Sequence, residues 1–366
     1  MTLIHTNEKI QLQSLDFDEQ RKITIVTDAW HPQVNGVVRT VEATATALRE
    51  LNHHVQILNP ADFFTVPCPM YPEIRLSVDV WPRVGKLVEA FCPDSILIAT
   101  EGPLGIAARN YCLSRGLKFT TNFNTKFPEY IRMRVPIPES WSYKYFQWFH
   151  NPSDSVLVAT ESLATYLHER GIKNTGWWSR GVDTDLFRIY PESILQDVPR
   201  PISLYVGRIA VEKNVNAFLD LDIPGTKVLV GNGPALDKLK IDYPNAIFVG
   251  EKHGQELAQY YSAGDVLVFP STTDTFGLVI LEALACGTPV AAYPVCGPID
   301  VIRDNKVGVL DNDLEKATLA AIGLSSQDCR NYALRFSWKN CAESLLSNLS
   351  KNKNVWNYQS SIVIVS

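Results

Sequence analysis

The stretch of this 366-residue chain that decides the fold is TTDTFGLVILEALACGTP, residues 272–289. It follows DVLVFP, residues 265–270, a β-branched run that is typical of a buried strand. An α-helix turns about 100° per residue, so the pattern places Asp274 in the loop before an apolar helix and Glu282 roughly two turns in, with both acids able to reach one cleft. A helix N-terminus between them suits a phosphate or sugar oxygen at the carboxyl end of a strand. The alternative from spacing alone is an Asp that caps the helix and a solvated Glu.

The composition indicates a globular protein and excludes several functional classes. Apolar residues make up 46% of the chain and charged residues 20%, and the length is sufficient for two domains with separate cores. The net charge of −5 gives no basic footprint for nucleic acid. The seven cysteines form no Cys-x-x-Cys pair and have no His cluster nearby, so we expect no metal, no disulfide framework and a reducing, cytoplasmic compartment. The acid pairs Asp220 with Asp222 and Asp311 with Asp313 are interpreted as turn and capping residues.

Two segments bear on secretion and membrane insertion. Residues 1–21 lack the basic start and apolar run of a signal peptide, so we expect a loose leader. The longest apolar span, residues 278–297, contains Glu282 together with glycines and prolines. It therefore predicts a buried helix and strand rather than a membrane span.

Short β-branched runs alternate with helical patterns through both halves of the chain. This alternation predicts an α/β protein of two Rossmann-like, doubly wound parallel-sheet domains that face a central cleft. The predicted strands are residues 22–27, 54–58, 95–99, 118–121 and 155–159 in the first half, and residues 202–206, 226–230, 246–249, 265–269 and 289–293 in the second.

The domain boundaries are predicted from composition. Three prolines and a loss of periodicity around residues 190–201 indicate a linker, which we place at 191–201. The expected division is a leader at 1–21, a first domain at 22–190, the linker, a second domain at 202–336, a helix at 337–350 that crosses back, and a tail at 351–366.

A second loop that follows a predicted strand carries two cations. Residues 206–214, VGRIAVEKN, place Arg208 and Lys213 near the mouth of the second sheet. An arginine fork and a lysine point charge are the usual protein partners of a diphosphate, although ordinary surface cations on a first helical turn would give the same pattern. The turn at Gly231 and Gly233 lets the backbone approach a base or a phosphate closely.

These motifs resemble one enzyme family. Gly207-Arg-x4-Lys213-Asn, Gly231-x-Gly-Pro and Asp274-x7-Glu282 followed by ALACGTP occur in the order found in the donor domain of retaining glycosyltransferases with the GT-B fold. The resemblance is to the large bacterial family four, also called group 1. It makes the second domain the donor domain and the first the acceptor-side domain.

The resemblance implies roles for the residues of the donor domain. Arg208 and Lys213 would bind the donor diphosphate, and Glu282 would hold the ribose hydroxyls. Asp274, at a position where the family usually has Glu, would contact the sugar together with neighbouring backbone N–H groups. The catalytic set is Arg208, Lys213, Asp274 and Asn124, and the nucleotide-sugar set is Asn35, Gly36, Gly207, Gly231, Gly233, Phe276, Gly277, Leu278 and Glu282.

The first half resembles a narrower subgroup of glycolipid-forming and α-mannosyl-type transferases. Its residues 27–40, TDAWHPQVNGVVRT, place the Asn35–Gly36 turn at the start of a helix, where the family analogy brings it to the distal phosphate and sugar of the donor. Residues 99–105 and 178–183 also match, so the resemblance spans residues 22–349. The acceptor-side candidates are His31, Glu101, Lys126, Tyr130 and Arg180.

Asn124 departs from the family pattern. Relatives commonly carry a His there, which donates a hydrogen bond to the transferred sugar. An Asn can also donate, but it carries neither a titrating proton nor a charge. Our hypothesis is that Asn124 keeps the positioning role, with an altered sugar preference or a lower rate.

Residues 126–149 interleave basic and aromatic side chains. Peripheral proteins use this combination at an anionic bilayer, where the rings lie at headgroup level. The alternative is a core helix at 141–149 with ordinary surface bases. We therefore expect a lipid acceptor at an anionic membrane surface, on the inner face of the cell membrane.

The sequence predicts a retaining, metal-independent hexosyltransferase that moves a sugar from a UDP- or GDP-sugar to a lipid such as diacylglycerol or a phospholipid head group, with no cofactor. One alternative is the same chemistry on a soluble sugar or oligosaccharide. Another is a non-catalytic nucleotide-sugar-binding protein, which is suggested by the departure of Asp274 and Asn124 from the residues that the family usually has.

Overall fold

The computed structural model describes residues 19–33, 35–68, 71–124, 139–191, 194–352 and 356. Its strands form two parallel six-stranded sheets and one antiparallel hairpin. In spatial order, the first sheet contains β2 (His54–Leu58), β1 (Lys22–Val26), β5 (Ser95–Ile98), β6 (Thr120–Asn122), β7 (Ser155–Val158) and β8 (Thr175–Trp177). The second contains β11 (Ile247–Gly250), β10 (Thr226–Val230), β9 (Ile202–Val206), β12 (Val266–Phe269), β13 (Val290–Ala292) and β14 (Gly308–Leu310).

Helices connect the parallel strands, as the crossover connections of a doubly wound sheet require. The first half contains α1 (Gly36–Glu50), α2 (Arg83–Phe91), α3 (Pro103–Arg115), α4 (Glu139–His150) and α5 (Glu161–Glu169). The second contains α6 (Val215–Leu219), α7 (Leu236–Asp242), α8 (Gly254–Ala263), α9 (Leu278–Ala285), α10 (Pro298–Val301), α11 (Leu314–Ala321), α12 (Ser326–Ala333) and α13 (Trp338–Asn348). Within the described ranges, none of these helices combines the length and apolar character that a membrane crossing demands.

The two parallel sheets confirm the predicted α/β class. Strands that lie inside each sheet are largely buried on both faces. All five residues of β9 are buried, and so are the three polar residues of β6. Ile23 of β1 is in register with Val55 of β2 on one side and with Ser95 of β5 on the other. The sequence analysis did not predict β8 or β14, which have three residues each, or the hairpin of β3 (Thr65–Cys68) and β4 (Tyr71–Ser77).

The start of α9 differs in detail from the prediction. The helix begins at Leu278, so Phe276 precedes it and Glu282 lies about one turn inside it rather than two. Gly277 has a φ of 84°, a left-handed conformation that a glycine adopts without strain. A Cβ at this position would come within 3.1 Å of the Phe269 ring. The glycine therefore allows the loop that carries Asp274 to turn sharply into the helix.

The chain crosses between the two sheets at two adjacent places. The N–H of Val182 donates to the carbonyl of Phe336 at 3.0 Å, and a Cβ on Gly181 would lie 2.7 Å from the nitrogen of Trp338. After the second crossing, α13 packs against α1, and its Leu345 is buried in the core of the first sheet. Val182, just after the first crossing, is instead buried in the core of the second sheet.

The core of the first sheet thus contains residues from both ends of the described chain. Ile23 and Leu48 lie in the same cluster as Cys341 and Leu345. The loops that follow β6 and β12 meet across the cleft between the two sheets, where Oγ1 of Thr275 donates to the carbonyl of Asn124.

Candidate active site

Helices α1 and α9 meet across the cleft. The Cβ position of Gly36 is 3.5 Å from Cδ1 of Leu278, and Arg39 donates from Nη1 to Oε1 of Glu282 at 2.8 Å. Asn35 caps α1, because its Oδ1 accepts from the N–H groups of Val37 and Val38. The Asn35–Gly36 turn therefore lies beside α9, which carries Leu278 and Glu282 of the predicted nucleotide-sugar set.

Glu282 is a buried carboxylate with a partner for each oxygen. Glu282 is 6% exposed, and its Oε2 accepts from the hydroxyl of Tyr261 at 2.7 Å. Burial and the neighbouring Glu282 carboxylate raise the pKa of Tyr261 well above its usual value, so the hydroxyl stays protonated and donates. The alternative of a solvated Glu is wrong. The sequence analysis missed Arg39 and Tyr261, although Arg39 lies in the quoted 27–40 motif.

The first acid of the donor loop contacts the predicted diphosphate-binding lysine. Lys213 is the last residue of the 3-10 turn Val211–Lys213, and its Nζ lies 2.5 Å from Oδ1 of Asp274. Both side chains are partly accessible, at 23% and 19%. The shorter Asp in place of the family's Glu is therefore held against Lys213. Arg208 follows β9 at the same sheet edge and is exposed.

The glycine loops after β9 and β10 pack against each other. The N–H of Gly207 donates to the carbonyl of Val230, and a Cβ on Gly231 would be 1.9 Å from the oxygen of Gly207. A Cβ on Gly233 would similarly be 2.3 Å from the oxygen of Ile209. The glycines are thus required by contact between the two loops, which places Arg208 beside the second turn.

Asn124 is fixed by three neighbours in the first half. Its Oδ1 accepts from Nδ2 of Asn122 and from Nη2 of Arg180, and its own Nδ2 donates to the carbonyl of Ala99 at 2.7 Å. Its carbonyl accepts from Oγ1 of Thr275, the residue after Asp274. The structure therefore brings Asn124 to the donor loop.

Arg180 lies behind Asn124 rather than on the surface of the cleft. It is 5% exposed, donates to the carbonyl of Trp178 and stacks on the Trp178 ring at 4.6 Å. Burial lowers the pKa of Arg180 to about 10. It remains charged at neutral pH, so it directs a positive charge at the amide oxygen of Asn124.

Glu101 lies at the carboxyl end of β5 and contacts α4. Its Oε1 is 3.2 Å from Nε2 of His150, a side chain with no exposed surface. The carbonyl of Glu101 accepts from the hydroxyl of Tyr145. The sequence analysis missed His150, for which the only sequence signal was its place at the end of an aromatic helix pattern.

Asp28 lies at the carboxyl end of β1 and binds the start of α3. Its carboxylate accepts from the N–H groups of Leu104 and Gly105 and from the hydroxyl of Thr100. Burial is the main reason that its pKa is raised to about 6, and the charge of Glu101 adds to the shift. The acceptor-side edge therefore holds two neighbouring acids.

Of the remaining predicted residues, the structure describes His31 and Asp313 but not Lys126 and Tyr130. His31 pairs with Glu42 at 2.6 Å on an exposed surface, where it lines a cavity of about 190 Å³ together with Asn35 and Arg39. Lys126 and Tyr130 lie outside the described residues. Asp313, of the two Asp-x-Asp pairs, caps α11 as interpreted from the sequence.

Comparison with known proteins extends these observations. Residues 34–186 match the family model described as Glycosyltransferase Family 4, and residues 200–326 match Glycosyl transferases group 1. A GDP-mannose-dependent alpha-mannosyltransferase of Mycolicibacterium smegmatis is 30% identical over 344 residues, which cover 86% of this chain and 91% of that protein. An alpha-monoglucosyldiacylglycerol synthase of Streptococcus pneumoniae is 26% identical over 86% of this chain and 80% of its own length.

The fold has solved counterparts. The sucrose-phosphate synthase of Thermosynechococcus elongatus superposes with a TM-score of 0.72 over 94% of this chain and 100% of that chain, at 22% identity. This likeness confirms the predicted GT-B architecture. The family matches, the two facing sheets and the motif residues at their shared cleft lead to one conclusion: the chain is an enzyme of glycosyltransferase family 4, the group 1 glycosyltransferases.

Proposed function

We propose that this protein transfers a hexose from a UDP- or GDP-sugar to a lipid acceptor, with retention of configuration and without a metal or other cofactor. The donor half of the proposal is supported by four charged groups that follow the neighbouring strands β9 and β12. Lys213 and Asp274 are in contact, Glu282 lies on the adjoining helix, and Arg208 follows the neighbouring strand. This combination of cations and acids suits a diphosphate next to two hydroxyl-bearing rings.

The proposed chemistry relies on stabilising the leaving group. As the bond between the sugar and the diphosphate loosens, Arg208 and Lys213 take up the negative charge that develops on the phosphate oxygens. Asp274 and Glu282 each have a cation partner in Lys213 and Arg39, so neither is assigned as a nucleophile. Retention then follows from attack by the acceptor on the face that the diphosphate leaves.

The observation that carries the lipid acceptor is an exposed aromatic face on α4. Trp141, Tyr145 and Trp148 are spaced four and three residues apart, so they lie on one side of the helix, and they are 68%, 37% and 46% exposed. Such amphipathic rings favour the headgroup region of a bilayer. Tyr145 also contacts Glu101, so this face adjoins the acceptor edge of the cleft.

The name of one relative supports the same acceptor class, since the alpha-monoglucosyldiacylglycerol synthase described above is named for a glycosylated lipid. The proposed location is accordingly peripheral, at the inner face of the cell membrane.

The test is to incubate the purified protein with a panel of UDP- and GDP-sugars and a total bacterial lipid extract, without added metal. Mass spectrometry would identify released nucleotide diphosphate and a new glycolipid, and NMR of the product would give the anomeric configuration. A new glycolipid that retains the donor's configuration supports the proposal. Nucleotide release with a soluble product would support the oligosaccharide alternative, and bound nucleotide without release on any donor would support a non-catalytic protein.

A further inference from the structure

The acceptor edge contains a buried contact between a glutamate and a histidine that the donor chemistry does not use. His150 has no exposed surface, and its two ring nitrogens face Glu101 and Thr121: Nε2 is 3.2 Å from Oε1 of Glu101, and Nδ1 is 2.9 Å from Oγ1 of Thr121. The aromatic rings of Phe123, Phe146 and Phe149 surround it. Such an apolar setting makes an unmatched polar group costly, so the two contacts fix the ring orientation.

Helix α4 holds Glu101 at two points. Its side chain contacts His150, and its carbonyl accepts from the hydroxyl of Tyr145. The Glu101 side chain is only 10% exposed, so it reaches solvent through a small opening. A carboxylate held in this way is already oriented before a substrate arrives, which is what a positioning group at a reaction site requires.

The position of Glu101 relative to the donor loop is set by two neighbouring strands. Ala99, two residues before Glu101, accepts from the side chain of Asn124, and the carbonyl of Asn124 contacts Thr275. Thr275 is the residue after Asp274, where the family resemblance places the transferred sugar. This run of contacts joins Glu101 to the donor loop from the side of the first sheet.

We propose that Glu101 accepts a hydrogen bond from the acceptor hydroxyl that attacks the sugar, and that His150 is the positioning residue that orients this carboxylate. The inference rests on the proposed function and names a residue for its acceptor step. In that step the acceptor oxygen bonds to the anomeric carbon, and the carbon–oxygen bond to the diphosphate breaks with its electron pair. Before transfer, the hydrogen bond to Glu101 holds the hydroxyl on the face that the diphosphate leaves. As the carbon–oxygen bond breaks, the hydroxyl proton turns from Glu101 to an oxygen of the departing diphosphate, which takes it up.

The test compares transfer to the acceptor with hydrolysis of the donor in the absence of acceptor. It uses the acceptor that the wild-type protein glycosylates, so that the proposed function is established before Glu101 is tested. We expect Glu101→Gln to lower kcat/KM for the acceptor by about 10- to 100-fold, the range for a lost hydrogen bond to a charged group. Nucleotide affinity and donor hydrolysis should stay within about twofold of wild type, because Glu101 faces the acceptor.

Two variants of His150 separate orientation from support of the fold. His150→Gln keeps an amide near the position of Nε2 and should retain most of the transfer activity, whereas His150→Phe removes both polar contacts and should match the loss in Glu101→Gln. The matched control is Glu89→Gln. The Glu89 carboxylate also contacts a neighbouring side chain, the hydroxyl of Tyr111, but Glu89 lies on α2. Unchanged transfer in Glu101→Gln, or an equal loss of donor hydrolysis and transfer, would overturn the proposal.

Discussion

Arg39, on the acceptor-side helix α1, donates across the cleft to Glu282, on the donor-side helix α9, with 2.8 Å between Nη1 and Oε1. Glu282 is the carboxylate that the family resemblance assigns to the ribose hydroxyls. A cation of one domain therefore neutralises a buried acid of the other. A nucleotide that takes its place at Glu282 must share or displace this contact.

We predict that Arg39→Ala lowers the stability of the empty protein but increases the stabilisation by nucleotide. Without Arg39, the nearly buried Glu282 keeps only the Tyr261 hydroxyl as a partner, which costs about 1–3 kcal/mol. Ribose hydroxyls can then supply the missing hydrogen bonds. Thermal melts with and without UDP and GDP should show a larger nucleotide-induced shift in the variant.

Arg303→Ala is the control, because Arg303 pairs across the domains with Glu161 at 3.9 Å, and both groups are exposed. A smaller nucleotide shift in Arg39→Ala than in wild type would indicate that Arg39 itself binds the donor.

Removal of either donor-side cation should stop most turnover. Loss of one charged donor from a site that stabilises a developing anion costs on the order of 3 kcal/mol, so we expect Arg208→Ala and Lys213→Ala each to lose about 100-fold or more in kcat. Circular dichroism should show an intact fold. Lys238→Ala serves as the control, because Lys238 also pairs with an aspartate, Asp242, but on an exposed helix surface. Full activity in either cation variant would refute the assignment of the diphosphate site.

The surroundings of Asn124 predict that the family's usual His is not tolerated there. The amide oxygen of Asn124 accepts from both Asn122 and Arg180, whereas a neutral imidazole offers one acceptor nitrogen and a protonated one offers none. Asn124→His should therefore leave at least one buried donor unmatched and lower both thermal stability and turnover, the latter by about tenfold or more. Steady-state kinetics would measure the effect. A gain of orders of magnitude would instead show that the wild-type site is impaired.

Burial of Asp28 predicts a specific pH dependence of stability. Because its pKa is raised to about 6 in the folded protein from 3.8, its contribution to the free energy of unfolding is greatest below about pH 4 and is lost as the pH rises through about 6. The loss amounts to about 3 kcal/mol, since one pKa unit corresponds to about 1.4 kcal/mol. Denaturant unfolding at pH 4 to 7 should show this decline in wild type and a correspondingly flatter profile in Asp28→Asn. The quantity to compare is the slope of the free energy of unfolding against pH. The absolute values differ anyway, because an Asn opposite the N–H groups of α3 changes the stability at every pH. Parallel profiles for the two proteins would exclude the assignment.

The exposed face of α4 predicts binding to anionic vesicles. Burial of a large apolar side chain contributes about 1.5 kcal/mol or more, so the double change Trp141→Ser and Trp148→Ser should weaken sedimentation with phosphatidylglycerol vesicles by at least about tenfold. Added salt should weaken wild-type binding, because basic residues accompany the aromatic ones. Trp177→Ser is the matched control, since Trp177 is 48% exposed on β8. Equal loss in the control, or absence of wild-type binding at any salt concentration, would contradict membrane docking through α4.

Much of this architecture could be predicted from the sequence. Parallel strands buried on both faces give continuous apolar runs, and the loops that follow them lie at one edge, so Arg208, Lys213, Asp274 and Glu282 were expected together. The short strands β8 and β14 were missed because each is only three residues long and contains a glycine, a residue that is depleted in strands. Pro67 also interrupts the strand pattern of the hairpin, which lies outside both parallel sheets.

The partners of the site residues could not be predicted. Arg39 and Glu282 lie on separate domains, and only the approach of α1 to α9 brings them into contact. In the sequence, His150 is one more member of an aromatic helix pattern. Only its contact with Glu101 in the folded chain distinguishes it. Sequence spacing thus indicated which loops border the cleft, while the pairing of the charges on them depends on how the two domains pack.

The return of α13 to the first sheet bears on the order in which the protein is built. Among the described residues, the core that surrounds Ile23 and Leu48 is completed by Cys341, Leu345 and Leu349, whereas the clusters on the second sheet extend no further along the chain than Phe336. During synthesis the donor-side domain can therefore close its core while the acceptor-side domain still waits for its last helix. The part of the protein that is made first is in this way the last to become complete, and nascent chains that stop before Leu345 should expose the apolar side of α1 to chaperones and proteases.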